Sequence, residues 1–338
     1  MDEKIDFIIT WVDESDPKWR KEFEYYSAKE TRYINTDACR YRDWDTLRYW
    51  FRGVEKFAPW VNKIHFVTYG HLPKWLNTDN PKLVIVKHED FVPADYLPTF
   101  NPKTMEFFFH KIKGLSDRFV YFNDDMFLID GVSPDRFFIN DLPCDIGQIA
   151  CMNHAKPDIF DSSVFLAIAL INLHFDKKTA IHDNLWKWYS PVYPRISRVN
   201  FHFRKFSKFP GFKMNHLPQG YLKQTYDEVW KFCEEHITRT CSDKFRSYGD
   251  VSHWLVRYWQ LASGNFTPYN VFEDGKYYNI NEASIDKIVW CIKNQGKSMV
   301  CLNDNNDKID FEVMKRKIQE AFEHILPEKS LFEKNSGA

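Results

Sequence analysis

Arg118 to Leu128, RFVYFNDDMFL, places two adjacent carboxylates, Asp124 and Asp125, behind Asn123 at the end of an aromatic and β-branched run. The run has the composition of a buried strand, so the carboxylates fall at its carboxyl end, before apolar residues resume at Met126. Two neighbouring negative charges cost folding energy there unless something positive lies between them. In an open α/β sheet, ligands bind in the crevice beyond the carboxyl ends of the strands, and a divalent cation with a phosphate is the natural neutraliser. A solvated turn is the plain alternative, because Asn and Asp are turn formers. Glu106 and His110, four apart among Phe107, Phe108 and Phe109, would share one partly buried helix face, and an ordinary Glu–His helix pair is the reading that these residues favour by themselves. Arg42 and Arg48 could face a phosphate, or simply be solvated as most helix arginines are.

Such residues need elements to hold them. Ile5 to Val12 reads as a buried strand, with Asp13 to Pro17 the acidic loop that leaves it and Pro17 starting a helix over Lys18 to Lys29. Asp43 to Phe57 is amphipathic at helical spacing, with Asp43 as candidate N-cap. Lys63 to Thr68 and Leu83 to Val86 read as further strands, Asn101 to Ile112 as a helix, and Phe119 to Phe122 as the fourth strand. The alternation predicts an α/β protein with a mostly parallel central sheet and flanking helices, Rossmann-like in form. Beyond residue 140 the pattern becomes mainly helical: a strand over Asp145 to Cys151, helices over Ser162 to Leu173, Tyr226 to His236 and Val251 to Ala262, the last capped by Asp250. Arg195 to Gly211 is basic and aromatic; it could lie on an anionic lipid surface or hold an anionic acceptor, or be a basic loop over a core. A helix over Ser284 to Asn294, a strand over Ser298 to Leu302 ending in Asn303-Asp304, and a helix over Asp310 to Phe322 complete the chain.

Composition sets bounds. With 338 residues, 44% of them hydrophobic and 17% aromatic, the chain can bury a substantial core. A formal net charge of -1 gives no reason to expect nucleic acid as a partner, so any phosphate-binding charge must be local. Seven scattered cysteines without a Cys-x-x-Cys pair suggest reduced thiols in a cytoplasmic protein. The acidic MDEKIDFIITWV is in the wrong order for a signal peptide, and the longest apolar run, Val164 to Ile171, is too short to span a bilayer.

Three stretches, IDFIITWVDESDP (Ile5 to Pro17), Tyr41 to Phe91, and LPTFNPKTMEFFFHKIKGLSDRFVYFNDDMFL (Leu97 to Leu128), resemble the first two conserved regions of the Stealth family. That family joins bacterial capsular polysaccharide phosphotransferases with the Golgi N-acetylglucosamine-1-phosphotransferase. HLPQGYLKQTYDEVW with CSDKFRSYGDV (His216 to Val251) is similar to the third region and SMVCLNDNND (Ser298 to Asp307) to the fourth.

The resemblance implies a glycosyltransferase-A-like fold and transfer of a sugar 1-phosphate from a UDP-sugar to a hydroxyl of an oligosaccharide or polysaccharide acceptor. The products would be a phosphodiester and UMP. By the same analogy the catalytic positions fall on Glu106, Asp125, His216 and Arg246, with Mg2+ or Mn2+ near Asp124, Asp125 and Asp304. Thr10, Trp11, Val12, Asp13, Arg42, Arg48, Asn123 and His110 would help hold the nucleotide sugar. Glu14 stands where the family commonly has Gly, His71 where it has Gln and Lys111 where it has Arg, which touches donor-loop shape. The expected organisation is one catalytic domain over 1–338: a donor-binding half to 140, a helical acceptor side over 141–297, and 298–338 completing the core. A conventional glycosyltransferase releasing UDP and a non-catalytic carbohydrate-binding module are the competing readings. The expected location is cytoplasmic, with peripheral contact at the inner face of the membrane left open, as are donor sugar, acceptor and oligomeric state.

Overall fold

The computed structural model describes residues 4–31, 42–152, 158–305 and 308–334. Its strands are β1 (Ile5–Trp11), β2 (Ile64–Thr68), β3 (Leu83–Lys87), β4 (Arg118–Phe122), β5 (Met126–Leu128), β6 (Phe138–Ile139), β7 (Leu142–Asp145), β8 (Gln219–Leu222), β9 (Thr267–Pro268), β10 (Gly275–Asn279) and β11 (Met299–Asn303). Its helices are α1 (Pro17–Ser27), α2 (Leu47–Phe57), α3 (Pro102–Phe108), α4 (Ile159–His174), α5 (Lys177–Asp183), α6 (Leu185–Trp188), α7 (Pro194–His202), α8 (Lys223–Ser242), α9 (Trp254–Ser263), α10 (Ile285–Lys293) and α11 (Phe311–Ile325). The α/β class with a mostly parallel sheet holds. β1 to β4 are mutually parallel in the order β3-β2-β1-β4, and β8 pairs antiparallel with β4. A second sheet, β10-β11-β5, sets β5 antiparallel to β11.

Both faces of the main sheet are covered, which is why its strands read as near-continuous apolar runs. Successive side chains point to opposite faces. Phe7, Ile9, Val120 and Phe122 join α2, α10 and α11 through Trp50, Phe51, Ile288, Ile292 and Phe322. Ile8, Phe119 and Tyr121 join α3, α4, α8 and α9 through Phe107, Ile168, Val229 and Leu255. α2 lies so close to β5 that a Cβ on Gly53 would stand 2.7 Å from the Leu128 carbonyl oxygen.

Several expected boundaries shift for local reasons. α2 begins after Thr46, and the Asp43 carboxylate instead accepts the Asp45 N–H at 2.7 Å in a turn before it. The strand expected over Asp145 to Cys151 ends at Asp145, whose Oδ1 turns back to accept the Ile146 N–H at 2.7 Å; beyond it Ile149 makes one bridge, to Phe212. The basic stretch forms α7 and a tight turn rather than an open loop. α9 starts at Trp254, so Asp250 is not its cap. β5 and β8 went unread because three or four residues are too few for a period.

Candidate active site

β1 and β4 are adjacent and parallel, and the strand order reverses between them: β2 and β3 extend one way, β4 the other. That reversal opens a crevice beyond their carboxyl ends. The register pairs Ile9 with Phe122, so Thr10 to Asp13 and Asn123 to Asp125 leave the sheet side by side. β11 closes the crevice from the second sheet: the Leu302 N–H donates to the Asp125 carbonyl at 2.8 Å and Cys301 registers with Met126.

Asp125 is the focus. Its Oδ2 lies 3.6 Å from His216 Nε2 and accepts from Cys301 Sγ at 3.3 Å, while its buried Oδ1 has no hydrogen-bond partner. Asp125, His216 and Cys301 offer ligand atoms within 4.8 Å of one another. Burial and then the Asp125 charge push the Cys301 thiol well above its ordinary value, so it stays S–H. Burial alone would pull His216 down, but the Asp125 carboxylate outweighs it and raises the imidazole. Asp124 keeps one open side but is otherwise packed round by protein; that lost hydration, then Asp125, push its carboxyl up to about 7. An unpartnered buried carboxylate oxygen beside a second carboxylate that resists ionising fits a hard divalent cation.

His216 is held by a buried pair that sequence reasoning missed. Arg257 Nε and Nη2 donate to the two Asp145 oxygens at 2.7 and 2.9 Å, and Arg257 Nη1 donates to the Lys213 carbonyl at 3.0 Å. Asn215 Nδ2 reaches Asp145 at 3.4 Å, so the segment entering His216 is pinned. A cavity of about 10 Å³ behind His216, room for about one water, is also lined by His253, Arg257 and Gln219.

Glu106 is buried on α3 as the sequence suggested, but its partner is His253, at 2.9 Å from Oε2. Burial would raise the Glu106 carboxyl; His253 holds it below the ordinary range. Tyr121 OH, 3.4 Å from Glu106 Oε1 and 3.5 Å from Thr10 Oγ1, links this pair to the end of β1. Asp250 replaces its expected capping role with a larger one. Its Oδ2 accepts from Asn101 Nδ2 (3.1 Å), Lys103 Nζ (3.3 Å) and the Ser247 N–H (2.8 Å), tying the loop that carries Arg246 to the start of α3. Arg246 is exposed on that loop, and its charge acts on both Asp124 and Lys103.

Other expectations resolve differently. His110 lies in the tight turn after α3, its Nε2 3.6 Å from Asp227 and its ring stacked on Tyr226, so it does not pair with Glu106. Arg42 grips Asp304 with two bonds of 2.5 and 2.6 Å, and Trp44 Nε1 adds a third at 3.0 Å. Asp304, expected near the metal, therefore already carries a bidentate guanidinium across both of its oxygens. Arg48 sits 3.7 Å from Asp45 with its guanidinium over Trp75, an ordinary helix-surface arginine. Trp11 packs on Phe66 and His71, and Val12 is exposed. The Asp13 N–H donates to His71 Nε2 at 2.7 Å, fixing the β1–α1 loop. Asp43, read only as a cap, adds its charge to this acidic rim and raises Asp124 further.

The profile of Stealth protein conserved region 1 matches residues 3–31, and that of conserved region 2 matches residues 40–144. The chain is 38% identical to a capsular polysaccharide phosphotransferase WcwK of Streptococcus pneumoniae, over 98% of both chains. It is 36% identical to the receptor polysaccharide phosphotransferase WefC of Streptococcus gordonii, over 98% of this chain and 100% of the relative. The exopolysaccharide phosphotransferase cps2G of Lactiplantibacillus plantarum is 35% identical over 98% of this chain and 96% of its own. Among solved structures, the bifunctional glycosyltransferase WbbM aligns with TM-score 0.41 at 10% identity, over 96% of this chain and 52% of its own. The galactosyltransferase LgtC aligns with TM-score 0.41 at 9% identity, over 94% of this chain and 95% of its own. Likenesses this distant assign no chemistry.

Proposed function

The chain belongs to the Stealth family, and from that premise we propose that it moves a hexose- or N-acetylhexosamine-1-phosphate from a UDP-sugar to a hydroxyl of a glycan acceptor, forming a phosphodiester and releasing UMP, in the synthesis of a capsular or other cell-surface polysaccharide. The observation that carries this reading is Asp125, which stands where the strand order reverses with one oxygen buried and unpartnered and the other 3.6 Å from His216 Nε2. Asp124 and Asp125 would hold Mg2+ or Mn2+, which when bound supplies positive charge against the donor phosphates. Oxygen donors and a diphosphate suit such hard ions, and Cys301, kept as a thiol, remains a hydrogen-bond donor to Asp125.

Arg246 presents a planar fork to the phosphoryl group in transit. His216 takes the proton of the acceptor hydroxyl. While Asp125 is a bare carboxylate beside it, the imidazole favours its charged form; once that carboxylate is neutralised, burial favours the neutral ring with a free lone pair. The acceptor oxygen bonds to the sugar-bearing phosphorus as the bond from that phosphorus to the UMP oxygen breaks. Glu106, locked by His253, and Tyr121 hold the floor of the crevice, and Thr10 to Asp13 with Asn123 line its nucleotide side.

The test is the nucleotide released when the purified protein is given UDP-N-acetylglucosamine or other UDP-hexoses, Mg2+ or Mn2+ and a capsule-type oligosaccharide. UMP should appear, fall at least a hundredfold in Asp125→Asn and be lost with EDTA, an effect in the range of other lost charge-stabilising groups. UDP would assign the chain to conventional glycosyl transfer and overturn the proposal.

A further inference from the structure

From Asn184 to Tyr226 the sequence has eight lysines or arginines and no aspartate or glutamate, although the whole chain carries a net charge of only -1. The transfer chemistry uses His216 from this stretch and leaves the rest unassigned. Folded, it sets apolar tips among the cations: Trp186 is 64% exposed, Leu185 55%, Phe201 52% and Phe206 47%. Arg195, Arg198, Arg204, Lys205 and Lys208 are exposed among them.

The elements that carry these residues are fastened to one another and to the body of the protein. Asn200, buried in α7, donates to the Trp188 carbonyl at 2.7 Å and so joins α7 to α6. Buried Lys177 on α5 donates to the carbonyls of Phe203 (2.6 Å) and Phe206 (2.8 Å), and Lys208 donates to the Asn172 carbonyl at the end of α4 (2.8 Å). The guanidinium of Arg204 lies 3.7 Å over the Phe201 ring. Of the acids beside the face, Asp183 lies 3.1 Å from His182, and Asp176, which feels the Lys208 charge, caps α5 by accepting from Thr179 at 2.9 Å. A soluble surface does not need large aromatic side chains standing in water between cations, whereas the boundary of an anionic bilayer takes both: rings enter the headgroup layer and the cations meet lipid phosphates. No single described helix is long and apolar enough to cross a membrane, and α4 buries Val164, Ala167, Ile168 and Ile171 in the protein core.

We infer that the α6–α7 surface with the turn to Lys208 is a peripheral docking face for an anionic lipid bilayer. The face leads directly into the segment that carries His216, so docking would present the crevice to acceptors held at the membrane.

The experiment is co-sedimentation of the full chain with phosphatidylglycerol vesicles and with phosphatidylcholine vesicles, without donor or acceptor, so that its outcome does not depend on the transfer chemistry. Binding to the anionic vesicles, weakened by 0.5 M salt and absent from the neutral ones, is expected. Replacing Arg195, Arg198 and Lys205 together by alanine should weaken binding on the order of a hundredfold, and Trp186→Ala/Phe206→Ala should weaken it at least tenfold. Both variants should keep the wild-type Tm and UMP release on a soluble acceptor, because every altered side chain is exposed. Absence of anionic-vesicle binding, equal binding to neutral vesicles, wild-type binding by both variants, or binding to an anionic polysaccharide in place of lipid would each overturn the inference.

Discussion

Asp124 and Asp125 are adjacent in sequence but differ in task and titration. Asp125 is held against His216 and Cys301, while Asp124 keeps an open side and a carboxyl pushed up to about 7 by lost hydration and by its neighbour. The sign of the consequence follows from linkage. A carboxyl whose folded value lies above its unfolded one keeps a proton that the unfolded chain has released, so stability falls as pH rises from about 4 to 7 and the full cost is present above 7. In EDTA, Asp124→Asn should therefore stabilise the protein at pH 8 by about 1 kcal/mol, the full shift being discounted because the group faces solvent, and should change little at pH 4. Urea unfolding at the two pH values measures it; an equal effect at both would show that charge is not the cause. The same variant should lose metal-dependent activity, the exchange of stability for function common at sites. At this scale much was legible: Asp124, Asp125, Glu106 and His216 were singled out and lie in or around the crevice. The partners His253 and Asp145–Arg257 carry no such mark, and Asp250 carries only that of a cap, because long-range pairs across 112 or 147 positions leave no local pattern.

At the scale of elements, the β1–α1 loop is held within itself by Ser15 on Asp13 and is tied to the β2–β3 connection by His71. His71 Nε2 accepts the Asp13 N–H, so the ring must carry its proton on Nδ1 and stay neutral there; burial, opposed by Asp16 and Asp13, keeps its affinity for a second proton below the ordinary value. Gln at this position offers a carbonyl oxygen in place of the nitrogen. We expect His71→Gln to leave the donor KM within threefold of wild type, and His71→Ala to raise it about tenfold, the loss of about one hydrogen bond. Steady-state kinetics with varied UDP-sugar decides it, and an unchanged KM in His71→Ala would remove the loop from donor binding. Helix and strand types read well from periodicity, but their ends did not, since Asp43 and Asp250 each had a capping signature and each spends its carboxylate elsewhere. Arg42 and Asp304, 262 positions apart, pair with each other in a way that no local pattern announces.

Over the whole molecule, the sheet has an apolar layer on each face, and the C-terminal segment is sewn into one of them. Buried Arg52 on α2 donates to Glu333 at 2.7 and 3.0 Å and to the Leu326 carbonyl at 2.8 Å, while the Asn77 and Lys334 N–H groups bridge the segment to the Trp75 loop. Burial would raise Glu333, but Arg52 holds it below the usual range, so its contribution is present above that range and is lost as pH falls through its folded value. Glu333→Ala removes two charged hydrogen bonds but leaves the guanidinium Glu323 at 3.1 Å and the Leu326 carbonyl, and should cost about 2–3 kcal/mol at pH 7. Because β1 and β4 belong to both layers, near- and far-UV circular dichroism should still report one coincident transition; two separate transitions would mean that the layers unfold as independent units. The sequence pattern foresaw a parallel sheet but not β8 or the β10-β11-β5 sheet, whose pairing joins residues far apart in the chain.

The central claim is that the sugar-bearing phosphorus leaves the nucleotide and stays with the acceptor. The direct measurement is to label that phosphorus in the UDP-sugar, incubate it with protein, Mg2+ or Mn2+ and oligosaccharide, and locate the label after separation. Label in the glycan as a phosphodiester, absent when Asp125→Asn replaces the wild type, is the predicted result. Label remaining in released UDP while the glycan gains sugar alone would contradict the account.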